Sequence, residues 1–163
     1  MIETRWSTAQ DAPALAGVHR DAWRFAYSGL LPGVALERWI TGRGAPWWES
    51  LHRSGGKALV VELDGRLCGY ATGGRCRDRR SRRGEIYELY LDPVCHGAGL
   101  GARLFREARR RLEERGLHGL VVWSLADNEA GCRFYRAVGG RVGATGTASF
   151  HGVRLDRLAF VWS

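Results

Sequence analysis

The sequence predicts an α/β domain: a mixed, mostly antiparallel sheet flanked by helices. Three observations carry this reading. Short apolar-rich runs of strand length alternate along the 163 residues with amphipathic stretches of helical period. Asp64-Gly65 joins two of the runs with a dipeptide that favours a two-residue hairpin, and so antiparallel pairing. A glycine-dense turn, His96-Gly-Ala-Gly-Leu-Gly101, then leads from a strand into a helix. The expected order is β-α-α-β-β-β-α-β-α-β-β in one domain spanning residues 1–163, with no internal repeat or linker.

Each element has its own justification. Ile2 to Trp6 alternates apolar and polar residues and reads as a strand. Thr8 and Asp11 supply a helix start, and Leu15, His19, Ala22, Trp23, Ala26 and Tyr27 follow on one helical face. Ser28 to Gly33 breaks that pattern, after which Leu36–Ile40 and Ala45–His52 suggest two short helical pieces. Lys57–Leu63 and Arg66–Arg77 are the predicted hairpin strands, and Glu85–Leu91 is a strand ended by Pro93. A helix is expected from Leu100 to Arg115, with Gly116 as its stop, then a strand from Leu117 to Leu125. A short helix from Asn128 to Val138 precedes two closing strands, Arg141–Phe150 and Val153–Trp162, which turn at His151-Gly152.

Composition narrows the class. With 45% hydrophobic and 26% charged residues the chain has the make-up of a globular protein, and no apolar run approaches a membrane span. The start, Met-Ile-Glu-Thr-Arg-Trp, lacks the apolar stretch of a secretion signal, so residence in the cytoplasm is expected. Cys68, Cys76, Cys95 and Cys132 are scattered, without His at ligand spacing, so no metal is expected. The formal net charge is +8, and six arginines from Arg75 to Arg83 concentrate part of it. That cluster reads as a field for an acidic partner or as a solvated turn.

The glycine turn carries the chemistry. Gly97, Gly99 and Gly101 let the backbone curl so that successive N–H groups face one way, at the positive end of the following helix. Such a turn holds a phosphate or pyrophosphate. A Walker loop requires Gly-Lys-Ser/Thr, which Gly101-Ala-Arg does not supply. A dinucleotide fold requires G-x-G-x-x-G in its opening βα unit, whereas here the spacing is G-x-G-x-G and several strands come first.

From end to end the chain resembles the GNAT superfamily of acyl-CoA-dependent N-acetyltransferases. His96-Gly-Ala-Gly99-Leu-Gly101 fits that family's Q/R-x-x-G-x-G/A loop except at its first position, where His96 stands. Asn128-Glu-Ala-Gly-Cys-Arg-Phe134-Tyr135-Arg-Ala-Val-Gly139 is similar to a second family element, with Gly131 in place of the usual Ala. Trp23 to Pro32 also looks like many bacterial members. The resemblance implies a GNAT-like single domain, acetyl-CoA as cosubstrate, an amine on a small molecule, peptide or protein as acceptor, and direct attack in a ternary complex. Homodimers are frequent among similar proteins.

The resemblance also assigns residues. Leu89, Tyr90 and Leu91 would offer main-chain groups to the pantetheine arm, and His96, Gly97, Ala98, Gly99, Leu100 and Gly101 would hold the pyrophosphate. Asn128 would touch the pantetheine arm, or simply cap its helix. Tyr135 matches the family acid that protonates the departing thiolate, with core packing beside Phe134 as the other reading. Glu85 falls where several members carry a general base, and equally suits an exposed carboxylate answering nearby arginines. Strict alternation sends Glu88 to the opposite face and leaves Tyr87 on the Glu85 face, beside the acceptor. Trp23 and Tyr27 would line the acceptor site, with core packing, the commoner use of Trp, as the other reading. Two rival classes remain: an acyl-CoA sensor of the same fold that has lost catalysis, and a nucleic-acid binder, disfavoured because no recognition motif is present.

Overall fold

Strand β1 (Ile2–Trp6) forms one edge of a seven-stranded sheet in the computed structural model, which describes residues 1–163. Three helices follow: α1 (Ala12–Tyr27), α2 (Gly33–Gly42) and α3 (Ala45–Arg53). Then come β2 (Leu59–Leu63), β3 (Arg66–Arg75), β4 (Gly84–Leu91), α4 (Leu100–Glu114), β5 (Leu120–Leu125), α5 (Glu129–Ala137), β6 (Arg141–Phe150) and β7 (Val153–Trp162). The strands lie in the order β1-β2-β3-β4-β5-β7-β6, and every neighbouring pair is antiparallel except β4 with β5. This is the single α/β domain with a mixed sheet that the sequence predicts.

Two local expectations are corrected. The expected order counts two helices before β2, and three are present, because Arg43-Gly44 separates α2 from α3 and Pro46 sits in the first turn of α3. The strand expected from Leu117 begins instead at Leu120, because Gly116 and Gly119 are left-handed (φ +80° and +75°) and make Leu117–Gly119 a turn. The Asp64-Gly65 turn forms as expected, with both residues at positive φ (49° and 82°).

One apolar layer lies between the sheet and α4. Leu100, Leu104, Phe105, Ala108 and Leu112 recur on one face of α4 and pack with Ile86, Leu120, Val122 and Phe160 of the sheet. A second layer, on the opposite face, packs Leu15, Val18 and Trp48 of α1 and α3 over Val60 and Tyr70. Both faces of the sheet are therefore covered, and the strand sequences are apolar on both sides in the middle of the sheet.

Strand β4 departs from regular geometry in two ways that create the site. First, Thr72 pairs with Glu88 and Gly73 with Ile86, so Tyr87 has no partner on β3 and forms a β-bulge. Gly73 permits the close approach, since a Cβ there would lie 2.6 Å from the Glu85 carbonyl oxygen. Second, β4 pairs with β5 only at Gly84–Leu120 and Glu85–Val121. Beyond those residues the strands diverge, and the edge of β4 toward Leu91 is left without a ladder partner on that side.

Candidate active site

The gap between β4 and β5 opens into a cavity of about 920 Å³. Leu89, Tyr90 and Leu91 form one wall and Trp123, Ser124 and Leu125 of β5 the other. Buried strand groups without partners are costly, so this edge is suited to an extended ligand that brings amides of its own.

The glycine turn stands at one end. Asp92 caps a short 3-10 turn, Pro93–Cys95, by accepting from the Val94 amide at 3.1 Å. The chain then passes through Gly97 (φ +87°) and Gly99 (φ +75°) into α4. Both conformations are costly for a residue with a Cβ. Among main-chain hydrogen bonds, none is donated by the amides from Gly97 through Ala102. Six consecutive free N–H groups therefore crown the positive end of a 15-residue helix. Gly101 has a different reason for its identity: a Cβ there would come within 3.2 Å of Leu91 and 3.4 Å of Phe134. Of the expected turn residues, His96, Gly97, Gly99, Leu100 and Gly101 line the cavity, while Ala98 does not. His96 packs edge-on against the exposed ring of Phe25 at 5.3 Å.

On α5, Tyr135 lines the cavity and is buried, packed 5.3 Å from Phe134 and 5.6 Å from Phe160 between ring centroids. Burial raises its phenol well above the ordinary tyrosine value, with smaller contributions from Tyr27 and Cys132. The hydroxyl is therefore protonated throughout the physiological range. Asn128 lines the same wall, and its Oδ1 accepts from the Gly131 amide at 3.1 Å, capping α5. Gly131 suits that cap, since a Cβ there would meet the Asn128 side chain at 2.7 Å.

The two carboxylates of β4 are placed by the bulge. The residue it adds reverses the alternation, so Glu88 and Tyr90 share the Glu85 face rather than pointing to the other side. The expectation that Glu88 lies on the opposite face is thus corrected. Glu85 is 1% exposed and does not line the cavity. Its Oε1 accepts from the Arg77 amide at 3.0 Å, and its Oε2 from the Arg77 guanidinium at 2.5 and 3.0 Å. Glu88 does line the cavity. It accepts from Tyr70 (3.0 Å), Thr72 (3.3 Å) and Arg43 (3.2 Å). Burial holds Tyr70 far above its ordinary value, so it remains a donor to Glu88.

Trp23, Tyr27 and Tyr87 also reach the cavity. The Tyr27 and Tyr90 hydroxyls are hydrogen-bonded at 2.8 Å, and the Tyr87 hydroxyl donates to the Arg75 carbonyl at 2.5 Å. Behind Trp23, His19 is fully buried, stacks on the indole at 5.1 Å and finds no hydrogen-bond partner for either ring nitrogen. Burial, aided by Arg43, pushes it down to about 3, so it is neutral. Burial also pushes the Cys95 thiol, in contact with Cys68, up to about 12, which makes it a poor nucleophile.

Sequence reading missed Glu88 and Phe150 as wall residues. The Gly73-Gly74 pair inside β3 is the signal that a bulge lies opposite. Phe150 comes from the end of β6 and reaches the cavity through the tertiary fold.

The site is a wedge between two splayed parallel strands, closed at one end by a helix N-terminus with free amides. The chain belongs to the acetyltransferase (GNAT) family, whose family model matches residues 16–139. It is 26% identical over 163 residues to the N-acetyltransferase YuaI of Bacillus subtilis, covering 99% of this chain and 93% of that one. It is 24% identical over 155 residues to spermidine N(1)-acetyltransferase of Thermoplasma acidophilum, covering 91% and 94%. Its fold is similar to that of the PaiA N-acetyltransferase from Thermoplasma acidophilum in complex with coenzyme A, with a TM-score of 0.75 at 21% identity over 96% of this chain and 98% of that one. Against the mycothiol acetyltransferases that it also matches, the chain spans only 17% to 41% of their length. No helix is long and apolar enough to cross a membrane.

Proposed function

We propose that this chain transfers the acetyl group of acetyl-CoA to a primary amine by direct attack in a ternary complex. The observation that carries the reading is the open edge of β4 running to six free amides at the mouth of α4. The first feature suits the amide-bearing pantetheine arm, and the second suits a diphosphate. Leu89, Tyr90 and Leu91 would hold the arm, and the amides of Gly97 to Ala102 the diphosphate.

Bound acetyl-CoA supplies an activated acyl carbon, and the protein's own groups do the rest. An amide near Leu89 polarises the thioester carbonyl as an oxyanion-hole donor does. Glu88, a carboxylate on the wall, anchors the acceptor ammonium and receives its proton through water, taking the role expected for Glu85. The amine nitrogen then forms the new bond to the carbonyl carbon as the carbon–sulfur bond breaks. Tyr135 donates its proton to the departing sulfur, for which a phenol kept neutral by burial is well matched, and regains one through water from the second N–H proton that the nitrogen sheds as the amide forms. Asn128 holds α5 in place at the wall. Most of the acceleration comes from juxtaposing amine and thioester, with acid–base help adding about 10²–10⁴-fold.

The test is release of free thiol from acetyl-CoA over a panel of amines, peptides and aminosugars, with the acetylated product identified by mass. Amine-dependent thiol release with matching product supports transfer. Binding of acetyl-CoA without thiol release from any amine contradicts it and points to a sensor.

A further inference from the structure

Resting on the acetyl-transfer reading, we propose that the acceptor is a small primary monoamine with an apolar, aryl-sized body, held in an aromatic chamber on the α1 side of the cavity. Trp23 is the hub of that chamber. Its ring centroid lies 4.6 Å from Tyr27, 5.7 Å from Tyr90, 6.2 Å from Phe150 and 5.6 Å from Trp39. The rings that line the cavity, Trp23, Tyr27, Tyr90 and Phe150, come from α1, β4 and the end of β6, elements far apart in sequence, and Trp39 of α2 packs on Trp23 outside the lining.

The rings are not simply core. Trp23, Tyr90 and Phe150 are half-buried, packed on one side against the small cluster around Tyr27, Leu31, Leu36 and Ile40 while also forming cavity wall. Half-buried aromatic surface inside a concave site is the usual lining for an apolar ligand body. Aromatic faces also favour a neighbouring ammonium.

Charge sets the number of cations that fit. Glu88 is the one carboxylate from the sheet on this wall, and Arg43 already pairs with it at 3.2 Å. Arg157 also lines the cavity, stacked 4.0 Å over Trp123. The other acids of the lining, Asp127 and Glu129, are exposed at the start of α5. One ammonium finds a carboxylate and aromatic faces. The further cationic centres of a polyamine would meet rings and guanidinium groups without a buried counter-charge, which is costly. An aminosugar would bury hydroxyls against apolar walls at a similar penalty.

The experiment compares kcat/KM for 2-phenylethylamine, hexylamine, spermidine and glucosamine at saturating acetyl-CoA. The expected order places 2-phenylethylamine at least about tenfold above spermidine and glucosamine. Phe150→Ala and the milder Phe150→Leu should raise KM for 2-phenylethylamine, the former by about tenfold, with acetyl-CoA affinity and melting temperature near those of the parent. Preference for spermidine or glucosamine, or an unchanged KM in folded Phe150→Ala, overturns the proposal while leaving acetyl transfer intact. If no amine releases thiol although acetyl-CoA binds, titration of 2-phenylethylamine into the coenzyme A complex decides: saturable binding that Phe150→Ala weakens supports the chamber, and absence of binding overturns it. Failure of acetyl-CoA itself to bind removes the acetyl-transfer reading and this inference with it.

Discussion

Glu85 and Glu88, three positions apart on β4, lie on the same face of the sheet, because the bulge at Tyr87 takes up one residue of the alternation. They meet different surroundings there. Glu85 is enclosed and held by Arg77, whereas Glu88 forms cavity wall.

That difference separates chemistry from stability. Glu88→Gln is expected to lower kcat/KM by about 10²–10⁴-fold, as loss of an acid–base group does. Glu85→Gln should cost about 1–3 kcal/mol of folding free energy through its weakened hydrogen bonds to Arg77, with turnover of the folded fraction nearly unchanged. Thermal unfolding paired with steady-state kinetics on both variants checks this. A kinetic collapse in Glu85→Gln with none in Glu88→Gln would return the base to Glu85.

Tyr135→Phe removes the proposed acid without removing a ring from the cluster with Phe134 and Phe160. Turnover should fall about 10²-fold or more while acetyl-CoA affinity stays within a factor of about two. The sign of the pH effect follows from burial, which favours the neutral phenol and moves its loss of a proton to higher pH. Wild-type kcat should therefore show no alkaline decline from this group up to pH about 10. Equal pH–rate profiles and equal rates for the two proteins would remove Tyr135 from the mechanism.

Gly99 starts α4 at φ +75°, with open space where a Cβ would project. Gly99→Val forces a β-branched residue into a left-handed conformation, a local cost of about 1–2 kcal/mol, and sets methyl groups beside the free amides. Acetyl-CoA affinity should drop at least about tenfold, measured by calorimetry, with the domain still folded by circular dichroism. Native affinity in this variant would show that the amides do not grip the cofactor.

His19 gives a test of the buried layer behind the aromatic wall. Its pKa falls from 6.5 to about 3 on folding, so the unfolded chain binds the extra proton between those values. The contribution is fully present above pH 6.5 and is lost as pH falls toward 3, by about 1.4 kcal/mol per pH unit. His19→Leu should raise the melting temperature relative to wild type more at pH 5.5 than at pH 7.5. A variant difference independent of pH would contradict neutral burial of this ring.

Elements with strong periodicity or strong punctuation were legible from residues alone. The α4 face of Leu104, Phe105, Ala108 and Leu112, the Asp64-Gly65 hairpin and the glycine turn into α4 stand where the sequence reading puts them. What alternation could not reveal was the bulge, since one unpaired residue inverts every side chain beyond it, and only Gly73 hints at the close approach. The aromatic chamber was hidden for another reason. Trp23, Tyr90 and Phe150 are separated by dozens of residues, and a tryptophan in a core looks the same in sequence as one in a site.

The most direct measurement follows backbone amide resonances of this 18.1 kDa chain by two-dimensional nitrogen–proton NMR as coenzyme A is added. The six amides from Gly97 to Ala102 and those of Leu89, Tyr90 and Leu91 should show the largest shifts, saturating together. Saturable shifts centred elsewhere, or none at millimolar coenzyme A, would contradict the account.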